Sequence, residues 1–181
     1  MIFEPVPPFF ASEYRVKFAT NRFELQGAEN LRNRVFCDEQ KVFHGHDRDE
    51  IDSHAIPIVA LTSFGIVTDE VVGTVRIHEA EPGVWWGSRL AVAERYRKVG
   101  ALGSALIRLA VSSAHARGCR TFLANVQSQN VTLFRRMHWR TLSEVELHGM
   151  PHHHMQADLD FYPPLEDAAT GFIARPRKVA A

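Results

Sequence analysis

The chain predicts a mixed α/β fold, with one central sheet of about seven strands and helices on both of its faces. Three observations carry this expectation. Seven short segments have the apolar alternation or β-rich composition of strands. Three further segments repeat with helical period, and the order that results, β-α-β-β-β-α-β-α-β-β, lacks the strict alternation of a doubly wound fold. Near the middle, a strand ending in RLAV runs through a glycine-bearing loop, KVGALGSAL, straight into a helix.

Residues 1–12 are rich in Pro and Phe and read as an arm on the domain. Residues 13–19 place Tyr14, Val16 and Phe18 on one face, a strand pattern. Thr20 and Asn21 then cap a helix to about residue 40, with Leu25, Ala28, Leu31 and Val35 as its buried stripe. A polar loop follows over 41–54. The strands 55–64, 71–80 and 84–92 form a meander whose second turn is the EPG of 81–83. The helix 101–117 carries Leu102, Ala105, Leu106, Leu109, Ser113 and Ala116 on one face and stops at Gly118. A β-rich run over 119–127, a short helix over 129–138 and strands at about 140–147 and 151–161 complete the domain. The tail 162–181 reads as loose.

Composition narrows the function. The 181 residues suit one domain with short extensions, and 45% apolar with 23% charged residues is ordinary for a globular protein. Lys+Arg and Asp+Glu are both 21, so no net field favours nucleic acid or an anionic membrane. Two cysteines without a C-x-x-C point to a reducing cytoplasm, and the N-terminus lacks the basic region of a signal peptide.

A glycine loop at a helix N-terminus offers free amides and a favourable dipole to an anion. Gly100 and Gly103 serve equally well to let the helix pack closely. A P-loop is excluded because Gly103 is followed by Ser104-Ala105, not Lys-Ser/Thr. A dinucleotide site is disfavoured because the next strand ends Asn125-Val126-Gln127-Ser128-Gln129-Asn130, with no acid for a ribose.

These residues resemble the GNAT superfamily of acyl-CoA N-acyltransferases, in which a Gln/Arg-x-x-Gly-x-Gly/Ala loop wraps the coenzyme A pyrophosphate. The matching residues are Lys98-Val99-Gly100-Ala101-Leu102-Gly103, with Lys98 and Ala101 departing from the pattern and Arg97 available as a guanidinium. Arg89-Leu90-Ala91-Val92 resembles the bulged strand end that hydrogen-bonds pantetheine, and Asn130, Phe134 and Trp139 resemble the family's Asn…Tyr…Gly-Phe segment. The resemblance spans 13–161 and is firmest over 71–161. It implies a splayed fourth and fifth strand, acetyl-CoA as co-substrate, and pantetheine inserted between the backbones of Leu90 and Val92 and of Ala124 and Val126. It also implies a coenzyme-side set of Leu90, Ala91, Val92, Lys98, Val99, Gly100, Ala101, Gly103, Ser104, Asn125, Asn130 and Phe134.

Leu31-Arg32-x-Arg34-Val35-Phe36, Glu39-Gln40, Glu50-x-Asp52-x-His54 and the Gly-Thr-Val-Arg of 73–76 further resemble a GNAT subset and the acyl-homoserine-lactone synthases. The whole chain also resembles the GNAT proteins of bacterial nitrilase gene clusters.

Attack of an amine on a thioester needs a deprotonated amine, a polarised carbonyl and a proton for the thiolate. Glu79 and His78 are the base candidates. Glu39, Asp52, His54, Arg76, His152 and His154 are candidates for the acceptor side, and each also reads as a surface charge or a structural pair. Phe134 stands where many members carry the Tyr that protonates the thiolate, which leaves His138, water or the acceptor's own ammonium. Because a coenzyme thiol resembles cysteine, with a pKa of about 8.5, losing the acid need not abolish turnover near neutral pH. His44, His46 and His152–His154 invite a metal, but alternate residues of a strand face opposite ways, so no metal is expected.

The expected function is acetyl transfer from acetyl-CoA to the primary amine of a small molecule in a ternary complex. The alternatives are an acyl-homoserine-lactone-synthase-like enzyme acting on S-adenosylmethionine and a catalytically weak acyl-CoA-binding module. The expected partners are a small-molecule amine and, at most, a second copy in a homodimer, with no nucleic acid and no membrane.

Overall fold

The computed structural model describes residues 11–64 and 67–176. Of the expected N-terminal arm, 1–10 lie outside the described residues. The elements are β1 (Tyr14–Phe18), α1 (Arg22–Asn33), β2 (Ile56–Phe64), β3 (Val67–Glu81), β4 (Val84–Val92), α2 (Leu102–Ala116), β5 (Thr121–Gln127), α3 (Val131–Arg136), β6 (Trp139–Leu147), β7 (Met150–Ala157) and β8 (Phe172–Ala174). They form one eight-stranded sheet in the order β6-β7-β5-β4-β3-β2-β1-β8. Every pair is antiparallel except β4 with β5.

The two long helices cover opposite faces. A Cβ added at Gly73 of β3 would lie 2.9 Å from Leu106 of α2. Arg76, an odd number of residues further on, reaches the Asp52 carboxylate that pairs with Arg32 of α1. The core lies between these layers and includes Ile58, Leu61, Ile77, Leu106, Leu109, Phe122 and Met155, all buried. Among the described residues, no helix is long and apolar enough to cross a membrane.

Helix α1 begins as its cap residue dictates, with Asn21 Oδ1 accepting from the Glu24 amide at 2.9 Å. Ala28, Leu31 and Val35 of the expected stripe are buried, and only its first position differs. Leu25 is 47% exposed, while Glu24 is buried and receives Lys17 Nζ at 2.7 Å. A carboxylate takes the inward position because β1 supplies the cation. After Asn33 the helix does not simply continue to residue 40. It widens into a π-helical segment, Arg34–Glu39, a local under-winding of the kind often found at functional sites.

The C-terminal region departs furthest from expectation, because residues 162–176 are not loose. Strand β7 ends at Ala157, and the chain turns at Leu159–Phe161 to bury Tyr162 completely. The Tyr162 hydroxyl donates to the Met137 carbonyl at 2.6 Å and accepts from Trp139 Nε1 at 3.0 Å. The Leu165 amide donates to Ser112 O, and Phe18 N donates to Ala168 O. An eighth strand, β8, then pairs with β1, so a domain closed at residue 161 would omit part of its own sheet.

Gly171 makes that last pairing sterically feasible. It holds φ +64, and a Cβ there would lie 1.9 Å from the Val16 carbonyl oxygen. Gly171→Ala is expected to cost roughly 3 kcal/mol, from left-handed backbone strain and displacement of β8. Urea unfolding checks this, and a midpoint equal to that of the parent chain would show that β8 contributes nothing to stability.

Candidate active site

The site originates in a mismatch between strands. The parallel ladder of β4 and β5 runs from Val84↔Thr121 only to Gly87↔Ala124. Two residues further on, Arg89 adopts φ +55, and the register of β4 on β3 shifts between Thr74 and Arg76. This bulge keeps Ala91 and Val92 on Thr74 and Gly73 of β3. Strand β5 instead follows β7, with Asn125, Val126 and Gln127 opposite His154, His153 and His152. The two central strands therefore part, and a cavity of about 490 Å³ occupies the gap. Its wall includes Gly87 and Ala124 at the vertex and Leu90 and Val126 on the separated ends.

Past the separated end of β4, a helical turn over Glu94–Val99 leads to Gly100 at φ +79, and α2 starts at Leu102. Ala105 N donates to Ala101 O, so the amides of Ala101, Leu102, Gly103 and Ser104 precede the first helical acceptor. A Cβ at Gly103 would make only an ordinary 3.6 Å contact with Leu133. Close helix packing therefore does not explain that glycine. Lys98 is exposed, whereas the Arg97 guanidinium is already engaged by the Val92 carbonyl at 2.9 Å and by the Glu39 carboxylate.

On the α1 face, three arginines and three aspartates close over the gap. Arg32 meets Asp47 at 2.7 Å and Asp52 at 2.6 Å. Arg76, 2% exposed, grips Asp49 through both terminal nitrogens at 2.6 and 2.7 Å, meets Asp52 at 2.8 Å and donates to Ser88 Oγ. Arg89 meets Asp47 and Asp49 at 3.1 and 3.2 Å and lies 4.4 Å over the Phe43 ring. The carboxylates also order their own loop: Asp49 caps the turn Glu50–Ser53, and Asp52 accepts from the Asp49 amide. The Arg76 guanidinium holds the Asp49 carboxyl below its usual range, and the guanidinium and amide donors around Asp52 outweigh its burial to do the same.

These positions sort the expected residues. His78 lines the cavity, its ring in edge contact with His54 at 5.5 Å and its Nδ1 buried without a partner among the described residues. Burial, then His54 and Arg76, pushes its pKa below the usual histidine value. Leu90, Arg76, Asn125, Asn130, Phe134 and His152 also line the cavity. Glu79 does not: it is exposed, and its carboxylate accepts from the Gly83 amide at 2.7 Å, capping the β3–β4 turn. His138 is likewise displaced, exposed at φ +62 and stacked on Phe161 at 3.9 Å, away from the gap. Glu39, Asp52, His54 and His154 stand behind the wall rather than in it. Glu39 pairs with Arg97, Asp52 with two arginines, and His154 with Asn125 at 3.0 Å.

Sequence reasoning passed over Asp47, Asp49, Ser88 and Trp86. Asp47-x-Asp49 in the polar loop was the available signal, a pair of acids in a chain whose Arg32, Arg76 and Arg89 would need partners if buried. Nothing local foretold that Gln40 would meet Gln127 at 2.9 Å, or Phe43 meet His148 at 4.9 Å, bridging the loop to the far side of the gap.

A family model described as the acetyltransferase (GNAT) family matches residues 25–139. The chain belongs to that family. It is therefore an acyltransferase, and the splayed β4 and β5 are the family's architecture. The chain is similar to the uncharacterized N-acetyltransferase YjcF of Bacillus subtilis, 28% identical over 142 residues that cover 77% of this chain and 96% of that protein. Its fold is similar to that of Escherichia coli ElaA, with TM-score 0.65 at 19% identity, covering 80% of this chain and 98% of that one. It is also similar to BjaI, a CoA-dependent acyl-homoserine lactone synthase solved with SAM and isopentyl-CoA, with TM-score 0.64 at 17% identity over 81% and 83% of the two chains.

The ion cluster predicts an acid limb of stability. Asp49 and Asp52 titrate below the ~3.9 of an unfolded aspartate, so their contribution is full above that pH and is lost as pH falls toward their folded-state values. Arg76→Met should cost on the order of 1 kcal/mol at neutral pH, because Asp49 and Asp52 are partly solvated and keep Arg89 and Arg32, and should flatten the acid limb. Urea unfolding at several pH values measures both. An acid limb as steep in the variant as in the parent would refute the assignment.

Proposed function

We propose that this chain transfers an acyl group from an acyl-coenzyme A to the primary amine of a small molecule, by direct attack in a ternary complex. The gap between β4 and β5, leading to a helix start with free amides, is the observation that carries this reading. Pantetheine has two amides and fits a gap with strand backbone on both sides, those of Leu90 and Val92 and of Ala124 and Val126. The amides from Val99 to Ser104, with Gly100 and Ala101 shaping the turn and Lys98 beside it, would receive the pyrophosphate. Asn130 and Phe134 flank the same arm. Acetyl-CoA is the donor first to be tested.

The acceptor enters from the α1 face, where Arg76, Asp49 and His152 wall the cavity. Its amine nitrogen bonds to the thioester carbonyl carbon, the carbon–sulfur bond breaks, and the amine's proton passes to His78. A neutral imidazole is the form that can accept it, and the lowered pKa of His78 keeps it neutral at pH 7. No phenol stands at position 134, so the thiolate takes its proton from water or from the protonated His78.

Two measurements test this reading. Free coenzyme A and acetyl-CoA should each raise the melting temperature when in excess over their Kd. Thiol release over a panel of small primary amines should then identify acceptors, and a shift without any release would reduce the chain to a binding module. With an acceptor in hand, kcat/KM should fall at acid pH as His78 protonates, below the usual histidine value. His78→Gln should lose roughly a hundredfold in rate together with that acid limb. A variant that keeps the limb would remove His78 from the role of base.

A further inference from the structure

The two sides of the cavity differ in exposure. On the α2 face Ile107, Phe122, Phe134 and Trp139 are at most 6% exposed, whereas much of the wall on the α1 face is only half-buried. The open part of the cavity therefore lies on the α1 face. Register puts Trp86 opposite His78 and Ser88 opposite Arg76, so Trp86 lies on the same side of the sheet as the Arg76 guanidinium. Val42, Phe43 and Ile51 of the polar loop cover this floor, and Leu147 and Met150 flank it beside the β6–β7 turn. These five and Trp86 are apolar and half-buried. Phe43 meets His148 edge-on at 4.9 Å and Gln40 meets Gln127 at 2.9 Å, which joins the cover to the far side.

Among the described residues, the wall contains two guanidiniums, Arg76 and Arg89, and no lysine. Both are engaged. Arg76 gives Nε to Ser88 Oγ and its terminal nitrogens to Asp49 and Asp52. Arg89 is held by Asp47 and Asp49 and lies over the Phe43 ring. A carboxylate or phosphate on an acceptor would lose hydration here, find no uncompensated guanidinium and meet the charge of Asp49. An apolar body would instead take its own surface and that of six half-buried side chains out of water. We infer that the acceptor is a hydrophobic primary amine that carries no anionic group. The inference rests on the acyl-transfer reading above and names its acceptor class.

Trp86 and His78 are cross-strand neighbours, so a body resting on the indole leaves its amine beside the imidazole proposed as base. The bonds that form and break are those given above. Nitrogen joins the carbonyl carbon, sulfur leaves with the carbon–sulfur electron pair, and the amine's proton passes to His78. Trp86 and Phe43 then set specificity: one supplies the floor under the acceptor's body and the other its cover. An aromatic body also gains edge or offset contact with their rings.

Thiol release by the full chain with acetyl-CoA tests the inference on three amines. Phenylalanine adds a carboxylate to 2-phenylethylamine, and ethanolamine replaces its phenyl ring by a hydroxyl. The kcat/KM for 2-phenylethylamine should exceed that for phenylalanine by roughly a hundredfold and that for ethanolamine by about tenfold or more. Trp86→Ser and, separately, Phe43→Ser should each lower the 2-phenylethylamine value by about tenfold, mainly through KM. Calorimetry should show coenzyme A affinity unchanged in both variants. An equal or higher kcat/KM for phenylalanine or ethanolamine, or a preference that neither substitution alters, would overturn this acceptor class and leave acyl transfer standing. Coenzyme A binding without thiol release from these three or any amine of the wider panel would overturn the transfer reading, and this inference with it.

Discussion

The left-handed backbone at Arg89 is the constraint on which the site depends. A non-glycine residue at φ +55 costs on the order of 1–2 kcal/mol, and such strain persists only where its surroundings over-determine it. Here the guanidinium is fixed by Asp47 and Asp49 and lies over Phe43. The bulge that results holds the end of β4 on β3 while β5 leaves with β7. Without that kink, the parallel ladder would continue past Gly87 and Ala124, and there would be no gap for a ligand.

The six-charge cluster has a related role. Buried ion pairs contribute little net stability once desolvation is counted, but an unpaired member is costly, so a cluster of this kind selects one arrangement of its loop. Arg32, Arg76 and Arg89 come from α1, β3 and β4, and their partners all lie between Asp47 and Asp52. The polar loop is thereby fastened across three elements, and its charges cancel one another on the α1 face of the gap. Of the three arginines, Arg76 and Arg89 form part of the cavity wall with their guanidiniums already engaged. An anion-binding role for Arg76 would have to compete with Asp49 and Asp52.

Position 134 shows how the meaning of a residue changes with its surroundings. Considered only against the family pattern, a phenylalanine there is a missing acid. Set beside Trp139, Phe122 and Ala110, the same ring is part of a continuous apolar surface. The two descriptions are compatible. A buried ring packed on Trp139 needs no hydroxyl, so the residue that departs from the family pattern suits the place it occupies.

The parts of this protein that local chemistry determines were legible in the sequence. The period of α2, the Asn21 cap, the stop at Gly118, the strand segments and the glycine loop each depend on a few adjacent residues, and each is found in the structure. So was the family, because its motifs are short and contiguous. What required the tertiary structure is everything settled by which distant groups meet. Strand β8 has three residues and no pattern of its own; it exists because Gly171 lets it reach β1. Glu79 carries the charge expected of a base, yet its carboxylate is occupied by the amide of its own turn. Arg76 and Asp52 were visible as charges, but whether a charge faces a ligand or another charge is a matter of partners many residues away. The sequence by itself determined the elements, the family and the loop. Tertiary structure decided which side chains line the gap, because that choice depends on strand divergence and pairing across the sheet, which no local window contains.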